Sequence, residues 1–413
     1  GYYIVLNEGD KPSKGAHTAL SIFYQFDGSR MGVERDMTKA MEAVQKEIQL
    51  HPESKNELMI MHVRLLNTAK KEEAPALVQK EIETFIKGGL KTEDDYTLLQ
   101  NLYNVTRQPE QGKVVAELIK QKYPQGKWIV NETIQKYYPE KDPAKKLVML
   151  KEIEAKIAND EAWKQYKYNL DYFRQQYLST YVAKKDWDGL RKAMKEITFD
   201  DKMQLASFYN NTAWNMQGDS TELALAEEMS HFATTWAKGE MTKPVATKPT
   251  YLTTREWEKN RQMSYAMYAD TYAMIMYRMG QYKKGLPYAK EAAVVIHKGA
   301  DAEQNNTYAL LAEKMLPVKQ YKKELEDFVK AGKATKDMKD ILKRTYIKEK
   351  GSDAGFDDYV AGLMKGSYTK MMAELRKSML NETAPSFALL DLKGNKVDIQ
   401  DLKGKVVVAD FWA

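Results

Sequence analysis

The stretch that decides the fold covers residues 269–292, ADTYAMIMYRMGQYKKGLPYAKEA. Apolar residues recur at helical spacing on both sides of Gly280, a residue that favours a turn between two helices. Ala273 is small where two helices must approach closely, and Gly285 and Ala292 are small at the matching places of the second helix. The segment therefore predicts a tight helical hairpin.

The same spacing continues through most of the chain. A second copy of the pattern passes through Ala213, Ala226 and Ala233, and further helical stretches alternate with short polar breaks. A repeat of roughly 30–40 residues is typical of solenoids, in which each hairpin buries its apolar face only against its neighbours. A longer polar interval with two prolines falls at 238–250. The candidate hairpins are 56–87, 93–123, 128–158, 162–197, 202–237, 263–298, 304–331 and 335–364.

The two best hairpins, at 204–237 and 266–298, resemble tetratricopeptide repeats. This resemblance implies a superhelical solenoid over residues 31–375, with an exposed surface for partner proteins. Residues 1–30 differ, because β-type runs at 2–6 and 20–26 flank a turn-forming segment. Two strands alone do not form a stable unit, so we expect the remnant of a β-rich N-terminal domain there.

The C-terminal segment, 384–413, reads APSFALLDLKGNKVDIQDLKGKVVVADFWA and follows a linker predicted at 376–383. Its first part predicts a strand, a turn from Asp391 to Gly394 and a short connection that ends in Leu-Lys-Gly-Lys. The almost wholly apolar run that closes the segment predicts a strand covered on both faces of a sheet.

This segment resembles the opening of the thioredoxin-like domain of TlpA/ResA-type proteins, in the AhpC/TSA superfamily. The resemblance rests on Ala384-Pro385 with Phe387, on the turn and connection that follow, and on the ending Phe411-Trp412-Ala413. Ser386 stands where the family most often has Asp, and Ala409 where a larger aliphatic residue is common. We therefore expect a mainly α protein, a tetratricopeptide-like helical-hairpin solenoid with a short β segment before it and the first strands of a truncated thioredoxin-like α/β domain after it.

The resemblance implies a thiol-disulfide oxidoreductase whose Cys-x-x-Cys follows the last strand, at the N-terminus of a helix. There the helix dipole lowers the pKa of the attacking cysteine, and the second cysteine resolves the mixed disulfide. The 413 residues contain no cysteine. We therefore expect a chain that stops before the redox pair and is inactive by itself. No catalytic, cofactor-binding or metal-binding residue is assigned, and no cofactor is expected.

The order of the segments is similar to that of secreted or periplasmic thioredoxin-like proteins of Bacteroidetes. It implies a periplasmic or envelope-anchored protein whose helical repeats contact protein substrates or partners, although no signal peptide is identified. Nucleic acid is not expected, because 64 basic and 58 acidic residues leave a net charge of +6 without a basic block that interleaves aromatics. No apolar run reaches the roughly 20 residues that a membrane span needs.

Two alternative functions stay open. The chain can instead belong to a non-enzymatic tetratricopeptide-like scaffold that binds proteins, or, ranked below it, to a glycan-binding accessory protein of an outer-membrane uptake system. The residues do not fix the redox substrate, the direction of the reaction, a membrane anchor or the oligomeric state. The stripe of Tyr265, Tyr268, Tyr272, Met276 and Met279 fits a ligand groove, but it fits core packing better.

Paired acids recur at 94–95, 200–201 and 357–358. Adjacent side chains point in different directions, and these pairs fall where helices should begin. They therefore fit helix caps better than acid–base chemistry.

Overall fold

The computed structural model describes residues 7–8, 11–12, 14–25, 35–69, 72–220, 222–379, 386, 388–391 and 393–405. The strands predicted at 2–6 and 406–413 lie outside the described residues, as do Ala384, Pro385 and Phe387. The expected fold class is confirmed, because the described residues are mainly helical and their strands are short.

Most helices form pairs with short connections, as the predicted hairpins require. The helices of the first part are α1 Ala16–Gln25, α2 Met37–Leu50, α3 Lys55–Ala69, α4 Ala74–Lys87, α5 Glu93–Val105, α6 Pro109–Lys122, α7 Trp128–Tyr137, α8 Pro143–Asn159, α9 Leu170–Lys184 and α10 Trp187–Glu196. Those that follow are α11 Lys202–Asp219, α12 Leu223–Thr242, α13 Thr254–Arg278, α14 Tyr282–Lys290, α15 Ala302–Met315, α16 Val318–Lys330, α17 Lys336–Lys350 and α18 Phe356–Ser378.

Shorter elements complete the described structure. The strands β1 Asn7–Glu8 and β2 Lys11–Pro12 pair antiparallel, as do β3 Ala388–Leu390 and β4 Lys396–Asp398. Turns of 3₁₀-helix cover Pro52–Ser54, Glu161–Asn169 and Ile399–Leu402, and a π-helical turn covers Glu291–Ile296.

The prediction of a strand at 20–26 is wrong, because residues up to Gln25 belong to α1. The N-terminus of α1 is capped from a distance: the Glu47 carboxylate on α2 accepts hydrogen bonds from the backbone amides of Gly15 at 2.7 Å and His17 at 2.9 Å. The Ser21 hydroxyl also donates to the Ala40 carbonyl. These tertiary contacts outweigh the β propensity of the aromatic and branched residues in this segment.

Two predicted loops are shorter than expected. Helix α12 extends to Thr242 and α13 begins at Thr254, so the polar interval predicted at 238–250 is helical over its first five residues. The Glu240 carboxylate accepts hydrogen bonds from the amides that follow the helix, which fixes its end. Helix α18 likewise extends to Ser378, into the linker predicted at 376–383.

The chain divides into two compact units, with the divisions inside α11 and α13. The first unit, here unit 1, comprises 1–208 and 247–257, and unit 2 comprises 209–246 and 258–413. The predicted limits of the β remnant, the repeat region, the linker and the thioredoxin-like start are not tested by this division, and they stay predictions.

Each unit has its own apolar core. In unit 1, α2 to α6 bury a cluster that includes Val44, Val63 and Leu102, each of which is inaccessible to solvent. In unit 2, α13 to α18 bury a second cluster around Tyr308 and Leu325. Close packing there needs small residues, since a Cβ on Gly285 would lie 2.8 Å from the Met276 Cβ.

Candidate functional site

The C-terminal hairpin reproduces the turn that the sequence predicted. Strands β3 and β4 pair in the register Leu389 with Val397, and the Asp391 carboxylate closes the turn by accepting hydrogen bonds from the amides of Lys393 and Asn395, both at 2.8 Å. The Asn395 side chain and these amides lower the pKa of Asp391. The φ of Gly394 is +81°, a left-handed conformation that glycine adopts without strain.

The connection after β4 is short, as expected. The Asp398 carboxylate caps the 3₁₀ turn by accepting from the Gln400 amide at 3.0 Å, and Gly404 has a φ of +80° where the chain turns again. Leu389 and Leu390 are 64% and 72% exposed, so the described hairpin leaves one apolar side chain open on each of its two faces. It also carries no thiol, because the sequence has no cysteine.

The helices of the best predicted repeat form a polar layer in unit 2 together with α12. At one end, the Tyr265 hydroxyl of α13 donates to the Glu291 carboxylate at 2.5 Å, and Lys238 of α12 pairs with the same carboxylate. The Lys238 ammonium also lies 4.5 Å from the centre of the Tyr265 ring. Burial, followed by the hydrogen bond to Glu291, raises the pKa of Tyr265 far above its ordinary value.

A matching triad with exchanged charges lies at the other end of this layer. The Tyr272 hydroxyl and the Lys284 ammonium both donate to the Glu227 carboxylate, at 3.2 Å and 2.9 Å. Burial alone would raise the pKa of Glu227, but the hydrogen bonds from Lys284 and Tyr272 lower it overall. Thus α12 supplies the lysine of one triad and the glutamate of the other, and α13 supplies both tyrosines.

Between the two triads, a hydrogen bond connects α12 to α13, and a cavity lies beside the first triad. The Thr234 hydroxyl of α12 donates to the Tyr268 carbonyl of α13 at 3.0 Å. A cavity of about 420 Å³ lies beside the first triad, lined by Thr234, Lys238, Tyr265 and Tyr288. Since the polar groups of the triad satisfy one another, the layer fixes the register of the three helices.

The outcome for the aromatic stripe favours core packing. Tyr265, Tyr268, Tyr272 and Met276 are all buried, and the hydroxyls of Tyr265 and Tyr272 donate to carboxylates at the edge of the core. Met279 is half-buried at the end of α13. The sequence therefore located a structural layer correctly, but it did not show that the hydroxyls pair with carboxylates.

Helix capping is confirmed for two of the acid pairs. Thr92 and Asp95 form a reciprocal capping box at the start of α5, which lowers the pKa of Asp95 through backbone hydrogen bonds. The Asp201 carboxylate accepts from the Met203 amide at 2.8 Å at the start of α11, while Asp200 pairs with Arg174. Asp357 and Asp358 lie in the first turn of α18, where the helix dipole stabilises negatively charged side chains.

Sequence analysis missed one buried acid, Asp270 on α13. It is 6% exposed, and its Oδ1 has no hydrogen-bond partner among the described residues. Burial raises the pKa of Asp270 to about 7, although a hydrogen bond with Thr307 acts in the opposite direction, and Asp301 and Glu303 add to the rise. An acid inside an otherwise apolar helical stripe was the available signal.

The residues that the structure describes contain no cluster of three or more His, Cys, Asp or Glu side chains placed to hold a metal ion. Within the same residues, no helix combines the length and the apolar character needed to cross a membrane.

Comparison with known proteins gives a local similarity. Over 45 residues the chain is 40% identical to proteins described as thiol-disulfide oxidoreductase ResA from Bacillus thuringiensis, Bacillus cereus and Bacillus anthracis. The match covers 11% of this chain and 26% of each relative, so the chain spans about a quarter of the length of these curated relatives. No family model and no solved structure matches the chain. The similarity thus links part of the chain to a thioredoxin-like oxidoreductase, and no more.

Proposed function

We propose that this chain is the helical-repeat interaction region of a ResA-type thiol-disulfide oxidoreductase, whose redox cysteines lie outside these 413 residues. The observation that carries the proposal is the 40% identity to ResA proteins over 45 residues. We place that similarity at the C-terminal segment, where the thioredoxin-type motifs of the sequence lie. The β3–β4 hairpin, with its Asp391 turn, supports this placement.

The chemistry of this proposal requires a sulfur pair at the start of a helix. One thiolate attacks a substrate disulfide, forms a mixed disulfide with one substrate sulfur and releases the other as a thiolate. The second enzyme thiolate then attacks the mixed disulfide and releases the remaining substrate sulfur, so the enzyme is oxidised to a disulfide as the substrate is reduced to a dithiol. Without cysteine, the 413 residues cannot carry out either step. Their role in the proposal is to bind and position the protein substrate.

The helical region suits a positioning role because its register is fixed. One triad connects α12 and α13 to the π-helical turn at Glu291, and the other connects them to α14 at Lys284. Repeats of this kind present an extended surface that holds partner proteins. We also propose a periplasmic or envelope-anchored location, since disulfide exchange on structural disulfides takes place in that compartment.

The test compares the product of the complete reading frame with the 413-residue chain in a dithiothreitol-coupled insulin reduction assay. We expect the complete product to reduce insulin and to lose this activity when both cysteines of a Cys-x-x-Cys are replaced by serine. We expect no turnover from the 413-residue chain. Turnover by the cysteine-free chain would contradict the proposed chemistry. A complete product without activity and without Cys-x-x-Cys would favour the non-enzymatic scaffold.

A further inference from the structure

Helix α18 leaves the core of unit 2 halfway along its length. Phe356 is buried, and Leu363 and Met364 pack against the core cluster. Beyond them, the apolar side chains that continue the same helical stripe are exposed, and these are Tyr368 at 56%, Met371 at 48%, Leu375 at 49% and Met379 at 72%. Apolar side chains that follow one helix face into solvent mark an interaction surface.

Tyr368 and Met371 of this stripe line a groove together with the end of α16 and the turn that follows it. The groove has a volume of about 730 Å³, and its apolar side is formed by Met364, Tyr368 and Met371. Gly332, with a φ of +68°, brings the turn after α16 close to α18, since a Cβ at Gly332 would lie 3.2 Å from the Ser367 Cβ. The groove is therefore a fixed feature of unit 2.

The rim of the groove is basic. It carries Lys330, Lys333 and Lys370 against one acid, Glu374. Lys330 pairs with Asp327 at 3.2 Å, whereas Lys333 and Lys370 form no ion pair with any residue that the structure describes. The backbone of Lys333 is held in place, because the buried Asn305 amide donates to its carbonyl at 3.0 Å.

We propose that this groove binds an acidic, amphipathic segment of a partner protein. The partner's apolar side chains would pack on Tyr368 and Met371, and its carboxylates would pair with Lys333 and Lys370. The proposal rests on the charge of the rim, which disfavours a basic segment, and on the apolar stripe, which a purely polar segment would leave exposed. It deepens the interaction role proposed above, but it does not depend on the redox chemistry.

The test uses the 413-residue chain and two labelled helical peptides with the same leucine pattern, one with glutamate and one with lysine at all polar positions. We expect fluorescence anisotropy to show saturable binding of the acidic peptide, weakened by added salt, and no binding of the basic one. Met371→Glu should weaken binding about tenfold or more, since it removes apolar contact and adds repulsion. The double variant Lys333→Glu/Lys370→Glu should weaken it comparably.

Matched controls keep this test specific. Met267 on α13 is 47% exposed, and Met267→Glu should leave binding unchanged, as should Lys259→Glu/Lys283→Glu. Equal binding of both peptides, no binding of the acidic one, or equal effects of groove and control variants would overturn the proposal. It would also be overturned if Met371→Glu instead abolished self-association of the chain or its binding to anionic vesicles. None of these results would alter the outcome of the insulin assay. A failure of the groove proposal can therefore be distinguished from a failure of the proposed oxidoreductase function.

Discussion

Units 1 and 2 are both helical, but they use their charged side chains differently. In unit 1 charged groups cap the ends of other helices. Glu47 caps the N-terminus of α1, and Glu93 accepts a hydrogen bond from the Trp128 amide at the start of α7 at 2.7 Å. The Lys146 ammonium donates to the Tyr138 carbonyl at the C-terminus of α7. In unit 2 tyrosines, carboxylates and lysines connect the sides of α12, α13 and α14. Contacts at helix ends fix where helices begin and stop, whereas contacts between helix sides fix their register.

Burial shifts the pKa of ionisable groups in both units. In unit 1 burial lowers the pKa of Lys146, whose ammonium lies against carbonyls and 4.8 Å from the centre of the Tyr137 ring. In unit 2 burial raises the pKa of Tyr265 and Tyr308, and the carboxylates that accept from them add to the rise. Lys146 is thus a cation of unit 1 held by carbonyl groups, whereas burial keeps tyrosines neutral in both units, since it also raises the pKa of Tyr137 and Tyr177.

At neutral pH, the largest expected effect of a single substitution is at Arg174 in unit 1. Its guanidinium donates to Glu154 at 2.9 Å, Asp171 at 2.8 Å and Asp200 at 3.1 Å, and its side chain is 15% exposed. Arg174→Met should lower the free energy of unfolding of unit 1 by about 3 kcal/mol, because it leaves the buried carboxylate of Asp171 without its cationic partner. Hydrogen exchange should show lost protection in α8 and α9. Unchanged protection there would show that the cluster is not structural.

The second effect concerns Asp270 in unit 2 and depends on pH. The pKa of Asp270 is about 7 in the folded chain, whereas its ordinary value is 3.8. Between these two pH values, Asp270 is therefore protonated in the folded state and ionised in the unfolded state. Stability of unit 2 should therefore fall as pH rises through this window, by up to about 1.4 kcal/mol per pH unit, and level off above it.

Asp270→Asn should remove this slope, and Asp340→Asn on the exposed face of α17 should not. The measurement is hydrogen-exchange protection of unit 2 at several pH values, after correction for the intrinsic exchange rate. An identical slope in the wild type and the Asp270→Asn variant would rule out Asp270 as its source.

The third effect tests the triads. Tyr265→Phe removes a hydrogen bond to a carboxylate that is also paired with Lys238, and it should lower the stability of unit 2 by about 1.5 kcal/mol. Lys238→Glu alone should lower the stability of unit 2 further, since it places a second carboxylate beside that of Glu291. Adding Glu291→Lys should restore much of the loss. Urea unfolding followed by hydrogen exchange would measure this, and an absence of rescue would show that the triad does not set the register.

The smallest effect compares two adjacent acids in unit 1. Glu93 accepts from the Lys127 and Trp128 amides, whereas Asp94 pairs with the Lys127 ammonium with 72% of its side chain exposed. Glu93→Ala should reduce stability by about 1 kcal/mol as a lost cap, and Asp94→Ala by about 0.3 kcal/mol as a lost surface ion pair. Equal effects measured by urea unfolding would contradict the capping role.

Periodicity predicted the helices well where apolar spacing and local turn residues agree. The hairpins of α3 with α4 and α5 with α6 begin and end within a few residues of the predicted limits. The turn at Asp391 was predictable for the same reason, since its hydrogen bonds are all local. Local sequence is sufficient when the stabilising partners lie within a few residues.

Features that depend on distant partners were missed. The helix at Ala16–Gln25 depends on a carboxylate about thirty residues away, at Glu47, and the extension of α12 accompanies the pairing of Lys238 with Glu291. The groove on α18 was missed because its apolar stripe has the same pattern as a buried one. Sequence spacing shows which face is apolar, but it does not show what covers that face.

The measurement that tests the central claim most directly is to sequence the gene immediately beyond the codon for Ala413. The account predicts an open reading frame that encodes Cys-x-x-Cys within a few residues of Phe411-Trp412-Ala413. A stop codon there, or a continuation without the two cysteines, would contradict the oxidoreductase assignment and leave a helical protein-binding scaffold.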